Sequence, residues 1–393
     1  AIASSITRAS RAPETGRGLE RLLEEHFGYL SDRVRLARYR AAIAARVKPG
    51  DVVVDVGCGS GVLGLACLEA GAAHLVAIEK GPVIEIARET LARAGFADRC
   101  TFVRQRSYRV ALDMRADIAI CDHVGYFGFD YDLMALLADA RGRFLKPEGA
   151  TIPARLAPTV ALVASPRAHA PLEAWRNGEA PDAFGWLADY AANTKYAANL
   201  TRDEIVGQPA VLDSVELGAD ARAFLSWRVE LVAGRGATVD GLAGWFDCEL
   251  APGVVMTNSP LAADAIRRPQ AFLPFPAPVA MKAGERVLLT IAARPHEDLV
   301  AWSAIFPDSG RSFSQSTWAS LPIGRADVAR ADPRRRPNID ATGRARALVL
   351  ALCDGVRTAR EIEEAVARQY PRLMPTEAET RLFVAETLAR DAS

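Results

Sequence analysis

The fold of this chain is decided by the stretch VVVDVGCGSG at Val52–Gly61. Residues with the character of a buried strand run into three glycines at alternate positions, and a helical pattern follows. Glycine has no Cβ atom, so a turn that carries it at alternate positions lets the backbone approach a ligand closely. The stretch therefore predicts a strand, a ligand-binding turn and a helix.

Two acidic residues frame this turn. Asp55 precedes the first glycine by two residues, and Glu79 ends the next predicted strand, where an acid can accept both hydroxyls of a ribose. The G-x-G-x-G spacing differs from the G-x-G-x-x-G of dinucleotide-binding proteins. Acid, glycine turn and second acid in this order are similar to the class I methyltransferases, whose loop holds the amino-acid end of S-adenosylmethionine (SAM). A nicotinamide cofactor and a purely structural turn are the alternatives.

Composition narrows the class of protein. The 393 residues suffice for two or three domains, and the balance of 48 basic against 48 acidic side chains favours neither nucleic acid nor a membrane surface as partner. No apolar run approaches the roughly 20 residues of a membrane span. The six cysteines include no C-x-x-C pair, so we expect reduced thiols, no metal site and a cytoplasmic protein.

Changes of pattern divide the chain into segments. Strands and helices alternate in an α/β domain, which predicts a doubly wound parallel sheet, whereas alternating apolar and polar residues further on predict antiparallel strands. The predicted segments are a flexible tail (or a transit peptide) at 1–18, the α/β domain with N-terminal helices at 19–153, the antiparallel domain at 154–323 with a helix-like insertion at about 184–208, a linker at 324–340 and a small helical domain at 341–393. The N-terminal helical pattern is interrupted around His26-Phe27-Gly28. In a doubly wound sheet the ligand lies over the carboxyl ends of the strands, where Gly57, Glu79 and Asp122 fall.

Residues 26 to about 295 resemble the protein arginine methyltransferases. The matching pieces, in order, are His26-Phe27-Gly28, Asp32-x-x-Arg35-x-x-x-Tyr39, Val54–Gly61, Glu69–Ala72, Gly125-Tyr126-Phe127, Leu145–Gly149 with Ile152-Pro153, Asn258-Ser259-Pro260, Met281–Glu285 and Ala293-Arg294-Pro295. The resemblance implies a Rossmann-type SAM domain, a β-barrel substrate domain and a helical arm that makes a homodimer. It also implies the cofactor SAM.

The resemblance assigns roles to individual residues. Arg35 would hold the carboxylate of SAM, and Glu79 would hold its ribose. The other cofactor residues would be Asp55, Gly57, Gly59 and Gly61 around the methionine end and Ser107 near the adenine, while His26, Tyr126 and Arg267 would lie on the substrate side. Arg35 as a surface arginine and His26 as a packed histidine are the structural alternatives.

The acidic loop departs from the family pattern S-E-x-M-G-Y-x-x-x-x-E, whose two glutamates hold the substrate guanidinium. The first glutamate is replaced by Asp122, and the second position is Tyr131, with Asp130 and Asp132 on either side. The family's histidine loop aligns with Ile266-Arg267-Arg268-Pro269. Two arginines would repel a guanidinium and suit a carboxylate or a neutral group.

We therefore expect methyl transfer, with Asp122 and His123 as the residues that touch the nucleophile and Asp130 and Asp132 as further acids. In such a displacement most of the rate comes from alignment of the nucleophile with the sulfonium, with a base where needed. A capping role for Asp122 and a packing role for His123 are the alternatives.

The C-terminal segment resembles a second family. Leu352-Cys353-Asp354-Gly355-Val356-Arg357-Thr358-x-x-Glu361-Ile362 is similar to PqqD-like domains, small winged helix-turn-helix folds that recognise precursor peptides. Such domains bind the leader, the recognition segment of a ribosomally made precursor, as an added β-strand. A dimerisation or capping domain and a DNA-binding winged helix are the alternatives, and no basic stripe favours DNA.

Three functions follow as hypotheses. The first is methylation of a peptide side chain, arginine or another residue, on a natural-product precursor that the C-terminal domain delivers. The second is a methyltransferase whose last domain is only structural and which acts on the N or O atom of a small molecule, or on another protein. The third is a SAM-binding homologue without catalysis, since the acidic loop is altered.

Overall fold

The structure, a computed structural model, describes residues 17–219 and 222–392, with side chains from residue 22 onward. The chain divides into two compact units, and the division falls between Pro322 and Ile323 in the sequence. The predicted tail at 1–18 lies outside the described residues except for its last two positions.

Two helices open the first unit, α1 (Arg17–Ser31) and α2 (Arg33–Arg46). The interruption predicted around His26 is wrong, because α1 runs through it. The break falls at Asp32, whose side chain accepts the N–H of Arg35 at 3.1 Å and so caps α2.

A five-stranded parallel sheet follows, in the order β3-β2-β1-β4-β5. In chain order its elements are β1 (Val52–Val56), α3 (Val62–Glu69), β2 (His74–Ile78), α4 (Ile84–Arg93), β3 (Cys100–Val103), β4 (Ala116–Ile120), α5 (Leu133–Arg143) and β5 (Leu145–Ile152). The predicted doubly wound parallel sheet is confirmed. The strand order reverses between β1 and β4, so the ligand crevice lies beyond the carboxyl ends of these two strands.

The second part of the unit is antiparallel and barrel-like, as predicted. One sheet has the order β7-β13-β11-β6-β8, with β9 beside β6 and β12 beside β11, and the other has the order β10-β14-β15-β16. The strands are β6 (Arg155–Val163), β7 (Tyr196–Ala198), β8 (Ile205–Val211), β9 (Val215–Glu216), β10 (Leu225–Val232), β11 (Ala237–Ala251), β12 (Val254–Thr257), β13 (Gln270–Met281), β14 (Arg286–Arg294), β15 (Leu299–Phe306) and β16 (Arg311–Ser316).

The insertion between β6 and β8 differs from the prediction. Its helices are α6 (Pro166–Glu173) and α7 (Leu187–Ala192), and only α7 falls within the predicted arm at 184–208. The rest of that range enters the sheet, because β7 pairs with the start of β13 and β8 pairs with β6. Sheet pairing satisfies backbone groups that a helix would otherwise have to satisfy internally.

One continuous core joins the parallel sheet to the antiparallel domain. The rings of Phe127 and Phe129, which follow β4, lie 4.7 Å apart, and Phe129 stacks at 6.2 Å on Trp227 of β10. Gly244 of β11 leaves the room for this cluster, since a Cβ atom there would lie 2.5 Å from the Phe127 ring. The loop after β4 is therefore held from both domains.

The second unit is helical throughout its described residues, 323–392. Its helices are α8 (Arg325–Ala331), α9 (Ala341–Ala351), α10 (Ala359–Gln369) and α11 (Glu377–Asp391). A small core of Ala345, Val349, Ile362, Val366, Met374 and Val384 holds the last three together. The residues described here contain no strand, so they do not form the wing of the predicted winged helix, and α8 occupies part of the predicted linker.

The close approach of β8 and β10 provides a test of the fold. Gly207 has a φ of +97°, and a Cβ atom there would lie 2.1 Å from the carbonyl oxygen of Val232. Gly253, in the turn between β11 and β12, has a φ of +76° and no neighbour within 4 Å of such an atom.

We expect Gly253→Ala to lower the free energy of unfolding by about 1 kcal/mol, through backbone strain alone. We expect Gly207→Ala to lower it by about 3 kcal/mol or more, because a backbone oxygen cannot move aside. Urea denaturation of both variants measures the difference, and equal losses would contradict the close approach.

Candidate active site

The glycine turn lies at the carboxyl end of β1, where the parallel sheet opens. Gly57, Gly59 and Gly61 have φ values of +75°, +53° and +82°, which favour glycine. Glu79, after β2, accepts the N–H of Gly59 at 3.4 Å and the N–H of Gly81 at 2.7 Å. The turn and the second acid thus meet as the sequence predicts.

Side chains from two other elements lie against these glycines. A Cβ atom on Gly57 would lie 2.2 Å from Cε1 of His123, and one on Gly59 would lie 2.9 Å from Cε1 of His26. His123 follows β4 and His26 belongs to α1. Larger residues at either glycine would displace a histidine and fill the cradle.

Asp55 lies within β1, almost fully buried, beneath the turn. One of its carboxylate oxygens accepts the N–H of Gly64 at 3.1 Å, at the start of α3. The pKa of Asp55 is raised to about 7, chiefly by burial and in smaller part by the negative charges of Glu79 and Asp122, against the lowering effect of the Gly64 N–H. Asp55 therefore acts as an anchor for the turn.

Asp122, just beyond β4, accepts hydrogen bonds from three side chains of the site. The Nε of Arg35 donates to it at 2.6 Å, and the same guanidinium forms a second contact to the same oxygen. The hydroxyl of Tyr39 donates to its other oxygen at 2.9 Å. Both partners belong to α2, so this carboxylate fixes α2 on the sheet.

Arg268, in the loop before β13, is the second arginine on Asp122. Its Nη2 lies 3.5 Å from the carboxylate, its Nη1 donates to the carbonyl oxygen of Gly125 at 3.1 Å, and its guanidinium lies 5.8 Å from the centre of the Tyr29 ring. Burial alone would raise the pKa of Asp122. The charges of Arg268 and Arg35 outweigh it, so this pKa lies below its ordinary value.

His123 is held by its own neighbours. Its Nδ1 lies 3.2 Å from Sγ of Cys121, and burial lowers its pKa, so the imidazole is neutral at pH 7. A neutral imidazole beside the glycine cradle can accept a proton. The thiol of Cys121 is fully buried, which raises its pKa and keeps it protonated.

The two further acids are both engaged in structural contacts. Asp130 is buried, accepts the backbone N–H groups of Tyr126 at 3.0 Å and Phe127 at 2.7 Å, and pairs with the ammonium of Lys195. Burial lowers the pKa of Lys195, but the charges of its acidic partners outweigh burial, so this pKa lies above its ordinary value. Asp130 therefore fastens the loop and does not face an acceptor as a free acid.

Asp132 contacts two side chains that lie outside the acidic loop. Its two oxygens lie 2.9 Å from Nδ1 of His296 and 2.8 Å from the hydroxyl of Tyr108. Tyr131, at the family's second acidic position, has a left-handed backbone conformation with a φ of 56°, and its side chain is exposed. Neither Asp130 nor Asp132 completes a pair with Asp122.

Arg267 is the clearest correction to the sequence-based assignment. Its backbone N–H donates to Asp32 at 2.7 Å, and its side chain is exposed, whereas the neighbouring Arg268 turns inward to Asp122. The hydrogen bond to Asp32 fixes which arginine points inward. No local signal in the sequence distinguishes the two.

The remaining predicted residues lie at the edges of the site. Tyr126 is half-buried, and burial raises its pKa to about 12, with Lys195 5.1 Å from the centre of its ring. Ser107 lies in a short turn after β3, where its carbonyl oxygen accepts from Arg143 at 2.7 Å.

Sequence reasoning missed the part played by Asn258, although its motif was recognised. This fully buried amide donates to the carbonyl oxygens of Tyr126 at 2.9 Å and Pro269 at 2.8 Å. Its own oxygen accepts the N–H of Phe246 at 3.0 Å. The acidic loop and the Arg268 loop are thereby tied to one side chain.

Within 17–219 and 222–392, no three or more His, Cys, Asp or Glu side chains converge as metal ligands. Over the same residues, no helix combines the length and the apolar character that crossing a membrane requires.

Comparison of the sequence with known families and proteins gives a consistent result. Residues 40–152 match the family described as ribosomal protein L11 methyltransferase (PrmA). A probable protein arginine N-methyltransferase 6 of Arabidopsis thaliana is 27% identical over 237 residues, which cover 57% of this chain and 54% of that protein. A protein arginine N-methyltransferase 1 of Chlamydomonas reinhardtii is 28% identical and covers 60% of this chain and 72% of that protein. The chain thus spans about half the length of the Arabidopsis relative.

Solved structures agree on the fold. A Trypanosoma brucei PRMT1 enzyme–prozyme heterotetrameric complex with AdoHcy superposes with a TM-score of 0.66 at 23% identity, covering 74% of this chain and 96% of that chain. Arabidopsis thaliana protein arginine methyltransferase 10 gives 0.65 at 20% identity, with 75% and 97% covered. The predicted likeness in fold to protein arginine methyltransferases is confirmed, and the sequence matches support a SAM-dependent methyltransferase.

The raised pKa of Asp55 makes stability depend on pH. Because the folded state holds this proton up to about pH 7 and the unfolded state releases it near pH 4, the free energy of unfolding falls as the pH rises between these values. We expect Asp55→Asn, which keeps an acceptor for the Gly64 N–H, to remove this loss, on the order of 4 kcal/mol.

Urea denaturation from pH 5 to pH 8 measures the effect. Asp113→Asn removes an exposed carboxylate from the same domain and serves as the control, with a profile like that of the wild type. Parallel profiles for Asp55→Asn and the wild type would show that Asp55 is charged in the folded state.

Proposed function

We propose that this chain is a SAM-dependent methyltransferase that methylates a side chain of a peptide or protein. The observation that carries the proposal is the glycine cradle at the carboxyl end of β1, with Glu79 after β2 and Arg35 held by Asp122 just beyond β4. The curated relatives, which are protein arginine N-methyltransferases, support it.

The cofactor would be held by residues that already face the cradle. Gly57, Gly59 and Gly61 would receive its methionine end, because side chains at the first two would fill the cradle and one at Gly61 would collide with Ala87 of α4. Glu79 would accept the ribose hydroxyls, and the guanidinium of Arg35 would hold the carboxylate. Ser107 would lie towards the adenine. When bound, SAM supplies an electrophilic methyl group.

The chain's own residues would orient the acceptor. Asp122 holds Arg35 and Arg268 at the carboxyl end of β4, beside the cradle. His123 is neutral at pH 7 because burial lowers its pKa, so it could accept a proton from an acceptor that has to lose one. His26 and Tyr126 would form the walls of the acceptor's entrance.

The second unit would deliver the substrate. We propose that it binds the leader of a ribosomally made precursor peptide, as the likeness of residues 352–362 to PqqD-like domains implies. The exposed turn of this motif supports a docking role, since Val356 is 84% exposed. The described residues of this unit offer no strand edge, so we expect contact with its helices and turns.

A homodimer in a reducing compartment is part of the same proposal. Phe184 and Trp186, beside α7, are half or more exposed, which suits an apolar contact with a second copy. The six cysteines are free thiols, as expected in the cytoplasm.

Intact-mass analysis of peptides incubated with the protein and SAM tests the proposal directly. We expect a mass gain of one CH₂ unit on a precursor peptide encoded beside the gene, localised by fragmentation. Turnover of a small molecule alone would establish the second hypothesis. SAM binding without turnover on any acceptor would establish the third.

Glu79→Ala tests the cofactor site. Loss of two charge-assisted hydrogen bonds should raise the Kd for SAM about 10- to 100-fold. Glu85→Ala, which removes an exposed glutamate of α4, is the matched control. Isothermal titration calorimetry measures both, and an unchanged Kd in Glu79→Ala would remove this residue from the cofactor site.

Val356→Asp tests delivery by the second unit. Because Val356 is exposed, the variant should fold, and we expect the KM for a leader-bearing peptide to rise about tenfold with kcat unchanged. Val328→Asp, at another exposed position of this unit, is the control. A KM equal to that of the control would reject the docking role of this turn.

A further inference from the structure

We propose that Arg268 selects a carboxylate as the methyl acceptor, so that the product is a methyl ester. The inference rests on the proposed methyltransferase activity and names the acceptor chemistry of that site. It follows from the position of Arg268, from the balance of charge around it and from the proton balance of the reaction.

Arg268 contacts Asp122, the residue at the position of the first acid in the arginine-binding pattern. Its guanidinium lies between Asp122 and the carbonyl oxygen of Gly125, with Tyr29 over one face. Its side chain is only 12% exposed. An incoming guanidinium would therefore have to displace a buried guanidinium of the chain itself.

The charge of the site is unfavourable to a cation. Arg35 and Arg268 both pair with one oxygen of Asp122 and the Tyr39 hydroxyl donates to the other, so this carboxylate is not free for a substrate cation. The other acids of the loop are occupied, Asp130 by Lys195 and two backbone N–H groups, and Asp132 by His296 and Tyr108. Glu25 lies beyond Tyr29, whose hydroxyl donates to it at 3.1 Å, and is exposed to solvent. An anion is attracted where a cation is repelled.

Arg268 also has the donors that an oxyanion needs. A guanidinium carries five N–H groups in a planar fork that fits a carboxylate. In the described part of the chain Nη1 donates to Gly125 and Nη2 to Asp122, one contact each, so further N–H groups remain for an acceptor.

A carboxylate is also the acceptor whose methylation requires the fewest catalytic groups from this site. Its oxygen attacks the methyl carbon, one C–O bond forms, and the C–S bond of the sulfonium breaks. The electron pair goes to sulfur, the negative and positive charges cancel, and the products are a methyl ester and S-adenosylhomocysteine. No proton leaves, so no free carboxylate base is required, in agreement with the engagement of Asp122, Asp130 and Asp132.

The experiment uses the full-length protein, SAM and a set of peptides that differ at one position, occupied by Asp, Glu, Asn, Gln or Arg. The candidate precursor supplies the peptide frame. Products are analysed by mass spectrometry before and after mild base, which hydrolyses a methyl ester and leaves a methylated guanidinium or amide intact. We expect base-labile methylation of the Asp or Glu peptides only.

Arg268→Gln and Arg268→Lys test the role of the residue. We expect Gln to lower kcat/KM for the carboxylate peptide about tenfold or more, mainly through KM, and Lys to restore part of it. Arg311→Gln, which removes an exposed arginine at the start of β16, is the control with full activity. SAM affinity, measured by titration, should be equal in all four proteins.

The outcomes separate this inference from the proposed function. Base-stable methylation of arginine, or equal kcat/KM for the carboxylate peptide in wild type and Arg268→Gln, overturns the selection of a carboxylate and leaves methyl transfer standing. Absence of turnover on every peptide, with SAM bound, overturns the proposed function itself. Because the peptide series uses the wild-type protein, the inference is testable even if a variant does not fold.

Discussion

The carboxylate of Asp122 is the point on which the arrangement of the site depends. It terminates β4, holds Arg35 and Tyr39 of α2, and balances Arg268 of the loop before β13. A buried charge is tolerated only with partners that compensate for its desolvation, and Asp122 has partners from two elements distant in sequence. One side chain thus links α2 to the Arg268 loop.

Two acids at the same edge of the sheet illustrate how partners decide the charge of a buried group. Asp55 has only a backbone N–H as donor, and burial raises its pKa to about 7. Asp122 is also buried, but two arginines lower its pKa below the ordinary value. The acid below the glycine turn can therefore be neutral, whereas the acid beyond β4 is held charged by arginines.

The sequence predicts those features that depend on neighbours along the chain. The glycine turn with Glu79, the parallel sheet and the antiparallel domain follow from local patterns, and the structure agrees with them. The inward turn of Arg268 instead of Arg267 depends on a hydrogen bond to Asp32, 235 residues away. The strands within the predicted arm depend likewise on partners in β13 and β6, and the part played by Asn258 depends on three backbone groups. Such long-range contacts leave no trace in a local pattern.

The continuous core has a consequence for how this protein can diverge. Phe127, Phe129 and Trp227 join the two sheets through aromatic contacts, and Gly244 is required to admit the first ring. A foreign antiparallel domain could not be grafted onto the parallel sheet without rebuilding this interface. We expect new acceptor preferences to arise by single substitutions in the loops around the site, such as 266–269, where the exchange of one residue alters charge and leaves the shared aromatic interior intact. Divergence of this architecture is thus expected in the loops that border its two sheets.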